Sequence, residues 1–179
     1  MCDQILVPLI RTVEEVKGVV AAAKFPPEGR RGFGSPISVQ NFDPGLTMTG
    51  YLQQANDSLL TMVQIETREA LEAVEQIAPL VDVVFIGPFD LGNNIGHPIL
   101  GSHMDPELDE AIDRILRAAV AAGKKCGIYC SSGEQAKVYA DKGFHMINVA
   151  TDYTTLGAAM GNELAAASGK VAEVKGRSY

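Results

Sequence analysis

The chain has 179 residues, 46% of them hydrophobic and 21% charged, with 18 Gly, 3 Cys and no Trp. Such a composition is ordinary for a globular domain, and it excludes a disordered tract, a collagen-like repeat and a disulfide-stapled miniprotein. Fifteen Lys and Arg stand against 22 Asp and Glu, a net charge of −7, and the basic residues are scattered rather than striped, so nucleic acid is not an expected partner.

In chain order, Gln4–Leu9 (QILVPL) reads as a first strand, and Thr12 with Glu15 forms a capping box that opens a helix to about Lys24. Phe25–Gly50, rich in Pro and Gly, exceeds usual loop lengths and is expected to be a functional or interface loop. Leu59–Ile65 (LLTMVQI) is a second strand, after which Thr67 can cap a helix reaching about Ala78, before Pro79. Asp82–Ile86 (DVVFI) is a third strand. Asp105-Pro106 marks an N-cap with proline at the first helical position, and that helix stops at Gly123. Lys125–Cys130 (KCGIYC) is a fourth strand. Ser131 or Ser132 starts a helix ending at Gly143, His145–Val149 (HMINV) is a fifth strand, and Asp152 caps a last helix to about Ala167. The tail, 168–179, has no apolar period. One domain over 1–167 is expected.

Each strand is nearly continuous in apolar residues, the pattern of a parallel sheet covered on both faces. A repeated strand-then-helix unit implies right-handed crossovers, in either an open doubly wound sheet or a (β/α)8 barrel. No G-x-G-x-x-G follows the first strand, which removes the main support for a nucleotide-binding open sheet. No apolar run approaches the roughly 20 residues of a membrane helix, and the opening residues lack the features of a secretory signal. Cys2, Cys126 and Cys130 fit no metal spacing and read as reduced thiols, so a cytoplasmic setting is expected.

In parallel α/β folds the chemistry sits at the carboxyl ends of the strands. Two acids stand there: Glu66, closing the second strand, and Asp90, just beyond the third. Ends of neighbouring strands are about 4.8 Å apart. Carboxylates that close repel unless they share a proton or a cation. An oxygen-only donor set suits a hard divalent ion such as Mg²⁺ or Mn²⁺. The alternative is that Glu66 caps its helix or meets an arginine while Asp90 caps the next turn. Lys124 and Lys125, the lysines that touch a strand, stand at its beginning, so metal chemistry is favoured over a lysine imine.

Four segments, ILVPLIRTVEEV at 5–16, KFPPEGRRGFG at 24–34, MVQIET at 62–67 and IGPFDLGNNIG at 86–96, together resemble consecutive motifs of the HpcH/HpaI aldolases, the class II, metal-dependent pyruvate aldolases. The resemblance implies a (β/α)8 TIM barrel of the phosphoenolpyruvate/pyruvate type, of which strands four to eight are present here. It implies Glu66 and Asp90 as metal ligands for Mg²⁺ or Mn²⁺. Gln64 and the turn Gly87-Pro88-Phe89-Asp90 become substrate-binding residues, the turn's backbone receiving the keto-acid carboxylate. The implied reaction is carbon–carbon bond cleavage or formation between a 2-keto acid, pyruvate- or oxaloacetate-like, and an aldehyde.

No residue matches the family's upstream histidine and arginine. His97 and His103, in the loop after Asp90, are the candidate catalytic bases, although a loop histidine is more often an exposed polar residue. Arg11 reads as facing the pocket or as a helix-start ion pair, His145 as structural, and Cys126 and Cys130 as core thiols. Five strands leave two open edges, so self-association or a partner is expected, with a homo-oligomer as the simplest form. Two other functions stay open: an inactive remnant or assembly subunit of the family, and a related lyase that uses the same enolate with another acceptor.

Overall fold

The computed structural model describes residues 4–34, 39, 44–101 and 104–169. Its framework is a curled sheet of five parallel strands in sequential order: β1 (Gln4–Val7), β2 (Leu60–Ile65), β3 (Val83–Ile86), β4 (Lys125–Tyr129) and β5 (Met146–Asn148). The expected strands are therefore present, each slightly shorter than its apolar run. The connections are α1 (Val13–Ala23) and α2 (Met48–Ser58) before β2, α3 (Arg68–Glu72), α4 (Val74–Ile77) and a 3-10 turn (Ala78–Leu80) before β3, then α5 (Pro88–Ile95) and α6 (Pro106–Ala121), α7 (Gly133–Lys142), and finally α8 (Asp152–Ala167).

The register sorts side chains by face. Val63, Val84, Cys126 and Ile128 face the helices together with Ile65 and Ile86, and all six are fully buried. Onto this layer α6 presents Leu108, Ala111, Ile112, Ile115, Ala118 and Ala119, an i, i+3, i+4 stripe. Each isoleucine or leucine so buried contributes roughly 1.5–3 kcal/mol of transfer free energy. The other face carries Met62, Gln64, Val83, Phe85, Gly127, Tyr129 and Asn148. Gly127 is required there by packing: a Cβ would stand 3.0 Å from the Phe85 ring at Cε2 and nearer still at Cδ2.

The caps follow the sequence closely. Thr12 and Glu15 form the capping box, Asp105 accepts from the Glu107 amide, and Ser132 caps α7. Thr67 does two jobs: its Oγ accepts from the Ala70 amide at 3.1 Å and donates to the Ile10 carbonyl at 2.8 Å, tying the turn after β1 to the start of α3. At the last helix the expectation is corrected. Thr151 holds the cap position and Asp152 is the first helical residue, its Oδ1 accepting from the Tyr153 amide.

Two helices escape sequence reading. α2 lies where a loop was expected to end, and α5 where only a turn was expected. α2 is weakly patterned, burying Tyr51 and Ala55 alone, but it holds the strap at 24–34 firmly. The Asn56 side chain accepts from the Phe25 amide and donates to the Phe25 carbonyl and to Glu28, while Lys24 Nζ donates to the Asn56 carbonyl. Phe25 meets Tyr51 edge-on at 5.8 Å, and the Arg31 guanidinium covers the Phe25 ring at 4.7 Å. Part of the expected 25–50 loop, and all of the tail past residue 169, lie outside the described residues.

Burial on both faces fails at the margin. Ile5 and Leu6 of β1 are 38% and 39% exposed, because β1 pairs on one side alone among the described residues. α8 buries none of its side chains.

Candidate functional site

A cavity of about 780 Å³ opens at the carboxyl ends of the strands. Gln64, Glu66, Gly87, Pro88, Phe89 and Asp90 all line it, so the structure brings together the residues expected to hold metal and substrate. β2 and β3 are in register at Ile65 and Ile86, which sets Glu66 beside Gly87. Gly87 has to be glycine: a Cβ there would collide with the Glu66 carboxyl. Asp90 enters from the first turn of α5. Pro88 at the first position of that helix has no N–H, so the first-turn backbone donors are those of Phe89 and Asp90.

Glu66 is only 4% exposed. Its Oε2 accepts from the Leu9 amide at 2.9 Å and its Oε1 from Gln64 Nε2 at 2.9 Å. Leu9 makes the first bond from a left-handed backbone, φ 53°, a conformation that costs a leucine about 1 kcal/mol or more. Burial pushes the Glu66 carboxyl above its usual range and the neighbouring Asp90 charge pushes it further, against the Leu9 hydrogen bond, which lowers it. Among the described residues neither Glu66 nor Asp90 has an Arg, Lys or His ion-pair partner. The arginine-pairing alternative is thus not the one adopted, and helix α3 is capped by Thr67 instead. A buried, hydrogen-bonded carboxylate beside a second one, with no protein cation, suits a hard divalent ion.

His97 is not among the lining residues. Gly96 ends α5 with φ 89°, the His97 amide returns to the Gly92 carbonyl, and the His97 ring faces Asp105 at 3.2 Å and Glu107 at 4.0 Å. Its closeness to Asp90 in sequence does not bring it into the described lining, because the cap of α5 turns it toward Asp105. The side chain and then the backbone amide of Glu107, with His97, hold the Asp105 carboxyl down at about 2. His103 lies outside the described residues. Arg11 is exposed at the α1 start, where its amide bonds Glu15. His145 Nδ1 accepts from the Cys126 amide at the opposite end of β4, a structural bond. Cys126 and Cys130 are buried, their thiols pushed up to about 12 and about 11 by burial. Among the described residues no lysine lines the cavity, and Lys125 begins β4 at the far end.

Sequence reading missed the opposite wall, formed by Tyr129, Ser131, Asn148 and Thr154. The signal was available for two of them: Tyr129 and Asn148 are paired partners at the last inward positions of β4 and β5, one alternation from positions already assigned.

The fold and cavity define an α/β protein with a paired-carboxylate site at the C-terminal rim of a curled parallel sheet. The sequence model of the HpcH/HpaI aldolase/citrate lyase family matches residues 1–159, and the chain belongs to that family. It is 39% identical over 154 residues to a 4-hydroxy-2-oxo-heptane-1,7-dioate aldolase of Klebsiella pneumoniae, covering 85% of this chain and 57% of the relative. It is 37% identical over 155 residues to a hydroxypyruvate/pyruvate aldolase of Delftia acidovorans, covering 85% and 56%. The crystal structure of an HpcH/HpaI aldolase from Desulfitobacterium hafniense superposes with a TM-score of 0.82 at 27% identity, over 99% of this chain and 66% of that one. The chain thus spans less than two thirds of the length of these curated relatives. No helix among the described residues is long and apolar enough to cross a membrane.

Proposed function

We propose that the chain carries the enolate-forming half of a class II pyruvate aldolase, a carbon–carbon lyase acting on a 2-keto acid and an aldehyde. The observation that carries this reading is the meeting of Glu66 and Asp90 in one cavity whose described lining holds no cationic side chain. Glu66 and Asp90 would hold Mg²⁺ or Mn²⁺, which supplies electrophilic stabilisation of negative charge developing on the keto-acid oxygen. Gln64 fixes the Glu66 carboxyl through Oε1, and the Leu9 amide fixes it through Oε2, so the acid is oriented before any ligand arrives. The first turn of α5 offers the amides of Phe89 and Asp90 to the keto-acid carboxylate, at the positive end of the helix dipole.

The sequential strand order and the order of the motifs support a reading of β1 to β5 as strands four to eight of a (β/α)8 barrel. The exposed apolar β1 and the uncovered α8 support closure by association, with copies of the chain as the simplest partner. The buried thiols are in keeping with a cytoplasmic setting.

The test is oxaloacetate decarboxylation, which needs the same enolate. Activity that depends on Mg²⁺ or Mn²⁺, is abolished by chelator, and falls by at least about 100-fold in Glu66→Ala and Asp90→Ala is the expected result. Activity indifferent to chelator, or none, would overturn the reading in favour of an inactive assembly member of the family.

A further inference from the structure

The cavity has two chemically different ends. Glu66 and Asp90 occupy one; the other, on β4, β5 and α8, bears the hydroxyls of Tyr129, Ser131 and Thr154 and the amide of Asn148. No Lys, Arg or His stands among the described residues that line it. Asn148 is distinctive in that its Oδ1 is buried without a hydrogen-bond partner among the described residues. Leaving an amide oxygen unmade costs about 1–3 kcal/mol, and a half turn about the last side-chain bond exchanges Oδ1 with Nδ2 in place. An amide offers both a donor and an acceptor. It stands in the same cross-strand row as Glu66: Tyr129 pairs with Asn148, and the row runs back through Gly87 one residue beyond the Ile65, Ile86 and Ile128 pairings.

We propose that Asn148 is the acceptor-specificity residue of this cavity, hydrogen-bonding the hydroxyl group of an uncharged hydroxyaldehyde. A carboxylated aldehyde is disfavoured there, because no Lys, Arg or His stands among the described residues at this end to pair with its charge. This inference rests on the keto-acid reading of Glu66 and Asp90 and names the second substrate for it. In the addition, one bond forms between the keto-acid methyl carbon and the aldehyde carbon. The proton lost from that methyl is balanced by one gained at the aldehyde oxygen, so no redox partner is needed.

The experiment uses the full chain, pyruvate, Mg²⁺ and three acceptors on one three-carbon frame: propanal, 3-hydroxypropanal and 3-oxopropanoate. The wild type is expected to favour 3-hydroxypropanal over propanal by about 10-fold in kcat/KM, the worth of one buried hydrogen bond, with 3-oxopropanoate poorest. Asn148→Leu, which keeps the branching and removes the amide, is expected to bring the hydroxypropanal-to-propanal ratio close to one. Asn148→Ser, which restores a hydroxyl at lower volume, recovers part of it, and circular-dichroism melts establish that each variant is folded. A ratio unmoved in both variants, or a wild-type preference for 3-oxopropanoate, would overturn the inference. Oxaloacetate decarboxylation by the wild type separates the two levels. If it is present and the ratio does not move, Asn148 alone is misassigned; if it is absent, the keto-acid reading fails and takes this inference with it.

Discussion

Gly87 and Glu66 are fitted to each other: the Glu66 carboxyl occupies the space that any side chain at position 87 would need. Gly87→Ala must therefore displace the acid rather than merely crowd it. Misplacement of a reacting group by about 1 Å can cost about 100-fold, so the variant is expected to lose oxaloacetate decarboxylation on that scale. Its Mn²⁺ affinity, read by electron paramagnetic resonance, is expected to fall in parallel.

Glu66 also predicts how pH and metal removal act together. Burial and Asp90 raise its pKa in the folded chain, so the folded state holds this proton more tightly than the unfolded state does. The stability from this group is complete below the ordinary carboxylate range and is lost as pH rises through the raised value. In chelator, the melting temperature is expected to drop over that window, and Glu66→Gln is expected to flatten the drop. Mg²⁺ or Mn²⁺ is expected to raise the melting temperature at neutral pH and to have little effect in acid, where Glu66 is protonated. Scanning fluorimetry between pH 4 and 8, with and without metal, checks both signs.

Gly127→Ala tests the packing of the cavity floor. The added methyl meets the Phe85 ring and, at 3.1 Å, the Met146 carbonyl oxygen. Overpacking of this kind costs about 1–3 kcal/mol. Urea unfolding is expected to show a loss in that range, with an unchanged slope.

Asn56→Ala removes three hydrogen bonds that hold the strap at 24–34 to α2. The sheet does not depend on them, so the main melting transition is expected to move by a few degrees at most. Limited trypsin cleavage at Arg30 and Arg31 is expected to accelerate several-fold, and equal cleavage rates would show that the remaining contacts, Lys24 Nζ to the residue 56 carbonyl and the packing of Phe25 on Tyr51 and Arg31, hold the strap.

Much of this architecture was legible in the residues. Continuous apolar runs marked the parallel strands because their outer face is sealed by helices, and Thr12, Asp105 and Ser132 marked helix starts through an elementary hydrogen-bonding need. Glu66 was legible because an acid that closes an apolar strand stands out, and Asp90 because it follows an apolar strand within one turn of chain. α2 was hidden because it buries only Tyr51 and Ala55, too little to leave a period. α5 was hidden by its Gly-Pro start and its two internal asparagines. Asn148 was hidden for a different reason: within HMINV it reads as a polar interruption, and its significance comes from the face it shares with Tyr129. His97 stands outside the described cavity lining because the cap of α5 sends the chain toward Asp105 and Glu107, a direction that sequence distance from Asp90 does not reveal.

The Leu9 amide, offered from a left-handed turn directly after the outermost strand, has a consequence for observing the molecule. Its proton is spoken for by Glu66, so its exchange with deuterium is a native reporter of whether that carboxyl is seated. Fraying of the sheet margin and loosening of the acid should register in one and the same signal, with no label attached to the cavity.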